Sequence, residues 1–326
     1  MAGEADGVID AIVAVAPSHT PGTRPIHAPG VGATGVFQAT DVASSFTEAA
    51  HFSGPPVPVT VRFSNGTGSM AEADNEPVVR GLATRFHLAG GTIVDMVAMT
   101  LPVFFTRTME SFMDFLGAVR PDPVPPTPKW RKALDALRLQ PGPSRPLRPG
   151  EPGAIRFANG HPEARQAVVG LTALAVPQSY VTCTYHAVHA FVLTAGGTAT
   201  AVRFRWEPIA GVRPAADDVK PIYLEEELRG RLARGPAEFV LRMQVAEHGD
   251  DTSDPTKSWP ESRKRVVMGH LRVDAMVDDQ RADNERLDFN PTRLVPGIAM
   301  SDDPILRARQ EAYRRSAERR LSTPPI

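Results

Sequence analysis

The segment from residue 303 to 320 carries an arginine and a tyrosine that are spaced to act on each other. Pro304 follows Asp303 at its start, which is typical of a helix that opens at a proline and is capped by a carboxylate. Arg309 and Tyr313 are four residues apart, so they are neighbours on one face of that helix. A cation beside a phenol favours the phenolate, which is a suitable axial ligand for ferric iron. The alternative is an amphipathic helix with the tyrosine packed inward and the arginine solvated.

A histidine and a serine in the first quarter of the chain form a second candidate pair. His27 precedes a glycine-rich stretch, which we interpret as a turn where the backbone can approach a ligand closely. Arg62 and Ser64 alternate along the segment VRFS, so they share one face of a strand. If that face lines a cavity, Arg62 can pair with a carboxylate and Ser64 can hold an imidazole in one tautomer. The alternatives are a surface-loop histidine and a solvated strand face.

Two further histidines, His186 and His189, lie three residues apart in an alternating segment and should point to opposite faces. We interpret both as satisfied core or surface histidines. Residues 254–259 are interpreted as a structural turn in which Trp259 serves packing.

The sequence around these residues predicts the elements that must position them. Alternation of apolar and polar residues predicts antiparallel strands with one buried face at 184–193, 198–206, 238–247 and 265–273. Runs rich in Val, Thr and Phe add strands at 57–63 and 92–105. Helices are predicted at 109–119, 130–137, 162–175, 224–234 and 303–320. Many antiparallel strands with scattered helices indicate an α+β fold whose sheet closes into a barrel.

The composition indicates a globular protein. The 326 residues include 42% hydrophobic and 22% charged residues, and we expect one domain over 1–326. It would have an N-terminal arm at 1–20 and a proline-rich surface excursion at 120–153. A net charge of −1 gives no strong electrostatic attraction to nucleic acid or membrane. The single cysteine, Cys183, and the lack of a basic leader or a long apolar run favour a cytoplasmic protein.

Several segments, taken in chain order, resemble the catalase family. The motif Arg24-x-x-His27-Ala resembles the family's distal histidine motif, and VRFS at 61–64 resembles the strand that carries its partner serine. The match continues through RGLATRFH at 80–87 and TLPVFFTR at 100–107. It ends in the run toward the proximal ligand, at DPTKSWP (254–260), FNPTRLVPGI (289–298) and DPILRARQEAY (303–313). The resemblance covers residues 20 to 320, with a divergent middle.

The resemblance implies roles for individual side chains around a haem b cofactor. Tyr313 would be the axial ligand of the haem iron, and Arg309 would keep it anionic. His27 would be the distal acid and base, and Ser64 would accept its ring proton. The other cofactor-binding positions are arginines at the family's propionate sites and phenylalanines of the distal pocket, namely Arg24, Arg62, Arg320, Phe104 and Phe112.

Two departures from the family's pattern bear on the chemistry. The chain is far shorter than the usual catalases and in this respect resembles the minimal catalase-related peroxidases. This resemblance implies a smaller oligomer, such as a homodimer, and a haem that is more open to solvent. The family's second distal residue is an asparagine, whereas Met99 stands at that place with Thr100 next to it. Methionine cannot donate a hydrogen bond to peroxide, and Thr100 could do so if the register shifts by one residue.

The resemblance therefore implies a closed, antiparallel eight-stranded β-barrel with surrounding helices. The implied activity is that of a haem-dependent peroxidase, which reduces hydrogen peroxide or organic peroxides with an organic electron donor and has weak catalase activity. One alternative is a haem-dependent isomerase or lyase of lipid hydroperoxides, and another is a haem-binding β-barrel without enzymatic activity. No glycine-rich dinucleotide fingerprint precedes a helix, so NADPH binding is not expected.

Overall fold

The computed structural model describes residues 2–16, 18–120, 153–280 and 287–322. In these ranges the strands are β1 Gly30–Ala39, β2 Val57–Asn65, β3 Arg80–His87, β4 Ile93–Met99, β5 Tyr185–Ala195, β6 Thr198–Pro208, β7 Ala237–Val245, β8 Arg265–Met276 and β9 Ile298–Met300. The α-helices are α1 Ala2–Ala14, α2 Met109–Val119, α3 Gly153–Gly160, α4 Arg165–Thr172, α5 Leu224–Leu232 and α6 Pro304–Ser322. The predicted helix at 130–137 and residues 121–152 of the predicted proline-rich excursion lie outside the described residues.

Eight of the strands form a closed antiparallel barrel. Their order around the barrel is β4-β3-β2-β1-β8-β7-β6-β5, and β5 meets β4 where His186 and Met99 are register partners. The short strand β9 pairs with the other end of β5. Gly196 and Gly197 join β5 to β6 with φ angles of 54° and 76°, the left-handed pair that a two-residue hairpin requires. The predicted eight-stranded barrel is confirmed.

The interior of the barrel is filled by large aromatic side chains. Phe37 packs edge-to-face against Phe86 and Trp206, with ring centroids 5.2 Å and 5.9 Å away. Phe63 and Phe239 extend this core, and all five side chains are fully buried. Burial of this apolar surface closes the sheet on itself, because each strand has one apolar face to remove from water.

The predicted strands and helices agree with the structure except at a few places. The strand predicted at 92–105 ends at Met99, because Pro102 has no N–H group for a sheet hydrogen bond. The glycine-rich stretch after His27 is not a turn, because β1 already begins at Gly30. The helix predicted at 162–175 is a short 3₁₀ turn, Pro162–Ala164, followed by α4. Among the described helices, none is long and apolar enough to span a membrane.

The N-terminal arm contains a helix that packs on the C-terminal helix. In α1, Asp6 pairs with Arg315 at 2.8 Å and with Arg319 at 2.7 Å, and Asp10 also pairs with Arg319 at 2.7 Å. Val8, in the same helix as these acidic residues, is buried. The first residues of the arm therefore hold α6, the helix that carries the candidate iron ligand.

One histidine of the barrel core is buried between two phenylalanine rings. His51 is 1% exposed and lies between Phe52 and Phe86, with ring centroids 4.3 Å and 4.7 Å away. Its Nδ1 atom has no hydrogen-bond partner among the described residues. Desolvation by burial lowers the pKa of His51 to about 3.

We expect the free energy of unfolding to fall as the pH drops below 6.5. An unfolded chain protonates its histidines near the ordinary pKa of 6.5, whereas the folded protein keeps His51 neutral down to about pH 3. In that window the unfolded state binds more protons, so stability decreases by up to about 1.4 kcal/mol per pH unit for such a histidine. Urea unfolding at a series of pH values from neutral to mildly acidic measures this loss.

The matched control separates this histidine from the exposed ones. His51→Leu is expected to make the acid-induced loss of stability shallower, because leucine takes up no proton in the unfolded state. The exposed His248 is replaced by glutamine for comparison, and this variant should follow the wild-type curve. Equal slopes for His51→Leu and the wild type would contradict the assignment.

Candidate active site

One row of residues on the outer face of the barrel organises the candidate site. Gly30, Ser64, Gly81, Met99 and His186 are successive register partners across β1 to β5. Directly opposed residues of antiparallel strands point to the same face, and their neighbours along each strand fill the barrel core. The row therefore forms a continuous outer wall, against which the turn that precedes β1 is packed.

His27 lies in that turn and is fixed by Arg62 and Ser64. Its φ of 57° is in the left-handed region, which few residues other than glycine adopt. Arg62 supports this backbone, since its guanidinium donates to the carbonyl oxygens of His27 and Ala28, each at 2.9 Å. The Nδ1 atom of His27 lies 3.0 Å from the Ser64 hydroxyl. If the serine accepts the Nδ1 proton, Nε2 is the basic atom of the ring.

Gly81 leaves the space that the His27 ring occupies. A Cβ atom at this position would lie 2.6 Å from Oγ of Ser64 and 2.8 Å from Nδ1 of His27. Both distances are shorter than any tolerable carbon contact. Any side chain at position 81 would therefore displace the imidazole from its serine partner, and this dependence was not apparent from the sequence.

Gly81→Ala tests this cradle. We expect a destabilisation of about 1–3 kcal/mol, as is usual for an added methyl group in a filled site, together with slower turnover of peroxide. Gly117→Ala on the exposed face of α2 is the matched control, because its Cβ meets nothing within 4 Å. That control should be stabilised by up to about 1 kcal/mol, since alanine is the better helix former. An unchanged melting temperature and rate in Gly81→Ala would refute the packing argument.

The imidazole of His27 is kept neutral by its surroundings. Its pKa is lowered to about 3, first by desolvation and then by the positive charges of Arg62, Arg309, Arg24 and Arg80. Removing water disfavours the imidazolium, and like charges nearby disfavour it further. His27 is therefore available as a base at neutral and mildly acidic pH. The same charges favour an anion bound beside the ring.

A chain of hydrogen bonds leads from Tyr313 on α6 into the protein. The guanidinium of Arg309 donates to the Tyr313 oxygen at 2.9 Å and to Nε2 of His189 at 2.8 Å. The Nδ1 atom of His189 lies 2.6 Å from the carboxylate of Asp303. Asp303 also caps α6 by accepting from the N–H of Ile305 at 2.8 Å, as its position in the sequence predicts.

The surroundings of His189 keep its ring neutral. Burial is the largest cause that lowers its pKa to about 4; the hydrogen bond that His189 donates to Asp303 raises the pKa, and the charge of Arg309 lowers it. The neutral ring donates its Nδ1 proton to Asp303 and accepts at Nε2 from Arg309. A neutral acceptor at this place orients Arg309 without cancelling its charge, so that the full positive charge faces the Tyr313 oxygen.

His189 is a site residue that sequence reasoning missed. It was interpreted as a satisfied histidine, and it is fully hydrogen-bonded, but its partners belong to a helix more than 100 residues further along the chain. Its spacing from His186 carries no signal, since β5 is irregular between Ala187 and Phe191. Only the packing of α6 against β5 brings it to Arg309.

Two of the predicted propionate arginines share one main-chain partner. Arg24 and Arg320 donate to the carbonyl oxygen of Leu287, at 2.5 Å and 2.9 Å. Arg24 precedes β1 and Arg320 ends α6, so this carbonyl joins the two halves of the site. A carbonyl oxygen orients a guanidinium by accepting its hydrogen bonds.

A buried carboxylate holds the segment that carries Leu287. Asp95 on β4 accepts from Arg85 at 2.9 Å, from Arg293 at 2.5 Å and from the N–H of Asn290 at 2.9 Å. Asp95 is buried, and the paired arginines compensate the cost of its charge. The FNPTRL segment is thus anchored to the barrel, although the sequence offered only its resemblance to the family as a signal.

The apolar wall of the site is built on three buried side chains. Phe104, Val188 and Ile305 form a buried cluster against which Met99 and Phe112 pack. The rings of Phe104 and Phe112 are 5.3 Å apart, and the Arg309 guanidinium lies 5.9 Å from the Phe104 ring. Phe104 thus adjoins the Tyr313–Arg309 pair as well as the other phenylalanine. Its backbone is fixed by a hydrogen bond to the carbonyl of Pro255, in the turn that was predicted to be structural.

Met99 and Thr100, the two candidates for the second distal position, point differently. Met99 is the register partner of Gly81 and packs in the phenylalanine cluster. The Thr100 hydroxyl accepts from the N–H of Arg80 at 3.0 Å, and the Thr100 N–H donates to the Arg80 carbonyl at 2.9 Å. That bond uses the threonine oxygen as an acceptor, so its proton can still be donated.

Comparison with known proteins identifies the family of this chain. The family model described as catalase matches residues 9–324. The catalase-related peroxidase of Mycolicibacterium paratuberculosis is 33% identical over 98% of this chain and 98% of its own length. The catalase-related peroxidase of Synechococcus elongatus is 28% identical, covering 92% of this chain and 84% of the relative.

The full-length relatives are larger. A catalase of Alkalihalophilus pseudofirmus is 30% identical over 92% of this chain, but the match spans only 44% of that catalase. The similarity therefore covers less than half of this long catalase, whereas it covers nearly all of the Mycolicibacterium paratuberculosis catalase-related peroxidase. With the family model matched over residues 9–324, on a closed eight-stranded barrel, the chain belongs to the catalase family.

Proposed function

We propose that this protein is a haem-dependent peroxidase that reduces hydrogen peroxide or organic peroxides with an organic electron donor. The observation that carries the proposal is that Met99 and Phe104 connect two pairs of residues, His27 with Ser64 and Tyr313 with Arg309. Met99 is the register partner of Gly81, which adjoins His27, and it packs against the Phe104 cluster. The Phe104 ring in turn lies 5.9 Å from the Arg309 guanidinium. The charge of Arg309 reaches the His27 ring and contributes to its lowered pKa. The base and the phenol–guanidinium pair thus adjoin the same group of apolar side chains. Two relatives named catalase-related peroxidases support the same class of reaction.

The residues of the pocket fit a haem b group. Haem is a flat apolar macrocycle with two carboxylates on one edge and an iron that takes an axial ligand. The structure offers a Tyr313 oxygen beside a guanidinium at 2.9 Å and an apolar wall around Phe104. Cationic side chains suited to the carboxylates are Arg24 and Arg320, which share the Leu287 carbonyl, and Arg62, which lies beside His27. We infer that Tyr313 binds the iron and that these arginines bind the propionates.

The mechanism assigns one task to each polar residue. When bound, haem supplies an iron that reacts with peroxide and holds the oxidising equivalents until a donor delivers electrons. Nε2 of His27 takes a proton from the near oxygen of the peroxide and returns it to the departing oxygen, while Ser64 keeps the ring in place. Positioned proton transfer of this kind contributes about 10²–10⁴-fold to the rate. Arg309 stabilises the phenolate of Tyr313 and is itself oriented by His189.

The residues next to the base bear on the balance between peroxidase and catalase activity. Met99 offers no hydrogen-bond donor to a second peroxide, and Thr100 is the remaining candidate donor beside it. We therefore propose that the organic donor is oxidised in preference to a second peroxide, so that little O₂ is released.

Met99→Asn is expected to raise O₂ evolution relative to oxidation of an aromatic donor. The amide adds a donor at the position where the catalase family has asparagine, and each such hydrogen bond to a reacting oxygen is worth about 1 kcal/mol or more. An oxygen electrode and a colorimetric donor assay on the same preparation measure the ratio. Met99→Leu is the control, since it keeps the apolar wall and adds no donor. An unchanged ratio in Met99→Asn would argue against this role.

The whole proposal is tested by reconstitution with hemin. A Soret band typical of phenolate-ligated ferric haem, together with peroxide-dependent oxidation of small aromatic donors, is the expected result. Formation of an epoxide or aldehyde from a lipid hydroperoxide would instead favour an isomerase or lyase. A coloured protein without any peroxide reaction would favour a haem-binding module. We further propose that the protein is a homodimer and that the whole chain forms one domain. We also propose a location in the cytoplasm, in accord with the single cysteine.

A further inference from the structure

Met99 lies close to His27, the proposed base. It is the Cα partner of Gly81, whose missing Cβ would lie 2.8 Å and 2.9 Å from Nδ1 and Cε1 of His27. Side chains that are directly opposed on antiparallel strands have Cβ atoms about 4.5–5.5 Å apart. Because position 81 is a glycine, it places no side chain of its own between Met99 and the imidazole.

The direction of Met99 is settled by its packing. The side chain lies against the cluster of Phe104, Val188 and Ile305, which forms the apolar wall of the pocket. It is half-buried, so part of the side chain stays accessible to a small molecule. Sulfur is the most easily oxidised atom among these neighbours, since the phenylalanine, valine and isoleucine side chains carry none.

We propose that Met99 is a modification site, oxidised to methionine sulfoxide by the peroxide that enters this pocket. The inference rests on the proposed function, because a bound haem is what would hold peroxide beside His27. The O–O bond of hydrogen peroxide breaks, one oxygen forms a bond to Sδ, and the other leaves as water with both protons. The sulfur loses two electrons and the peroxide gains them. Nε2 of His27 carries the proton from the transferred oxygen to the departing one.

The modification changes the character of the pocket and is reversible. A sulfoxide is polar and accepts hydrogen bonds, whereas the thioether it replaces is apolar. The wall beside His27 would then bind water and anionic donors differently from the unmodified wall. Because reductases return methionine sulfoxide to methionine, the site records exposure to excess peroxide and can be reset.

Peptide mass spectrometry on the haem-loaded protein tests this inference. The protein is treated with a small excess of hydrogen peroxide, and the gain of one oxygen is followed at each methionine. Met70 and Met113 are internal references, because they are 48% and 36% exposed and far more accessible to solvent. Oxidation by simple exposure would modify these two first. We expect Met99 to react at least about 10-fold faster than either, because a bound peroxide is held next to it.

Two comparisons identify the cause of that preference. In the haem-free protein, and in the haem-loaded His27→Asn variant, the advantage of Met99 over Met70 is expected to disappear, while Met70 itself is unaffected. A haem-loaded protein that oxidises donors but modifies Met70 and Met113 as fast as Met99 would overturn this inference alone. A protein that takes up no haem would overturn the proposed function and this inference together.

Discussion

Replacing Tyr313 with phenylalanine is expected to abolish the Soret band of phenolate-ligated haem and to reduce peroxide turnover by more than about 100-fold. The substitution keeps the aromatic ring in the pocket but removes the oxygen that Arg309 contacts at 2.9 Å. Phenylalanine cannot bind iron, and the positive charge of Arg309 then has no anionic partner at this point. Absorption spectra after addition of hemin, and stopped-flow mixing with peroxide, measure both effects.

Tyr223→Phe is the matched control for the loss of a phenol. The Tyr223 hydroxyl donates to the carbonyl of Pro177 on another part of the barrel, remote from α6 in the sequence. This variant should bind hemin as the wild type does and lose only a modest amount of stability. If Tyr313→Phe retained the wild-type spectrum, a different residue would have to hold the iron, and the assignment of the whole site would fail.

His27→Asn is expected to slow the reaction with peroxide by about 10²–10⁴-fold while leaving the haem content unchanged. Asparagine is chosen because it tolerates the left-handed backbone better than most residues, and His27 has a φ of 57°. The loss therefore reports on the base and not on a strained turn. Haem should remain bound, because the iron ligand and the propionate arginines are untouched. The rate is read from the change of the Soret band after mixing with peroxide.

His87→Gln is the control for the loss of an imidazole, since His87 is exposed and hydrogen-bonds the Thr60 hydroxyl at 2.8 Å. It should react with peroxide at the wild-type rate. The wild-type rate itself is expected to be independent of pH between about 5 and 8, because the pKa of His27 is lowered to about 3 and the base stays neutral. A rate that falls with an apparent pKa near 6.5 would show that the ring is not desolvated in this way.

The same arrangement explains why the site requires glycine in two places. Gly30 leaves room for the Arg62 guanidinium, since a Cβ there would lie 2.7 Å from one of its nitrogens. Gly81 leaves room for His27 in the same manner. In each case the wall of the barrel approaches a functional side chain so closely that only a hydrogen fits. The chemistry of the pocket thus depends on residues that carry no chemistry themselves.

Much of the architecture was already determined by local sequence. The alternation of Arg203 and Arg205 with Phe204 and Trp206 predicted which side chains fill the barrel core, because side chains alternate across a sheet. Arg203, on the other face, is buried as well, because it donates to the carbonyls of Asp254 and Lys257 in the turn at 254–259. The helix with Arg309 and Tyr313 one turn apart was also predicted, together with its capping residue Asp303. These features depend on neighbours a few positions apart, so the sequence alone contains their cause.

The predictions that failed concern places where distant segments meet. The glycine-rich stretch after His27 was interpreted as a turn, but Gly30–Ala39 is a strand because β2 and β8 pair with it on both sides. Sheet pairing of that kind overrides the local preference of glycine for turns. The strand at 92–105 was extended too far because its buried apolar residues continue past Met99, although they pack outside the sheet.

By itself the sequence determined which residues have the right chemistry: a phenol with a cation on one helix face, and an imidazole near a strand with an arginine and a serine. Only the tertiary structure decided which of them meet. His189 joins Arg309 across 120 positions, and the carbonyl of Leu287 joins Arg24 to Arg320. The physical reason is that a closed barrel brings the ends of remote strands and helices together, and such contacts leave no periodic trace in the chain.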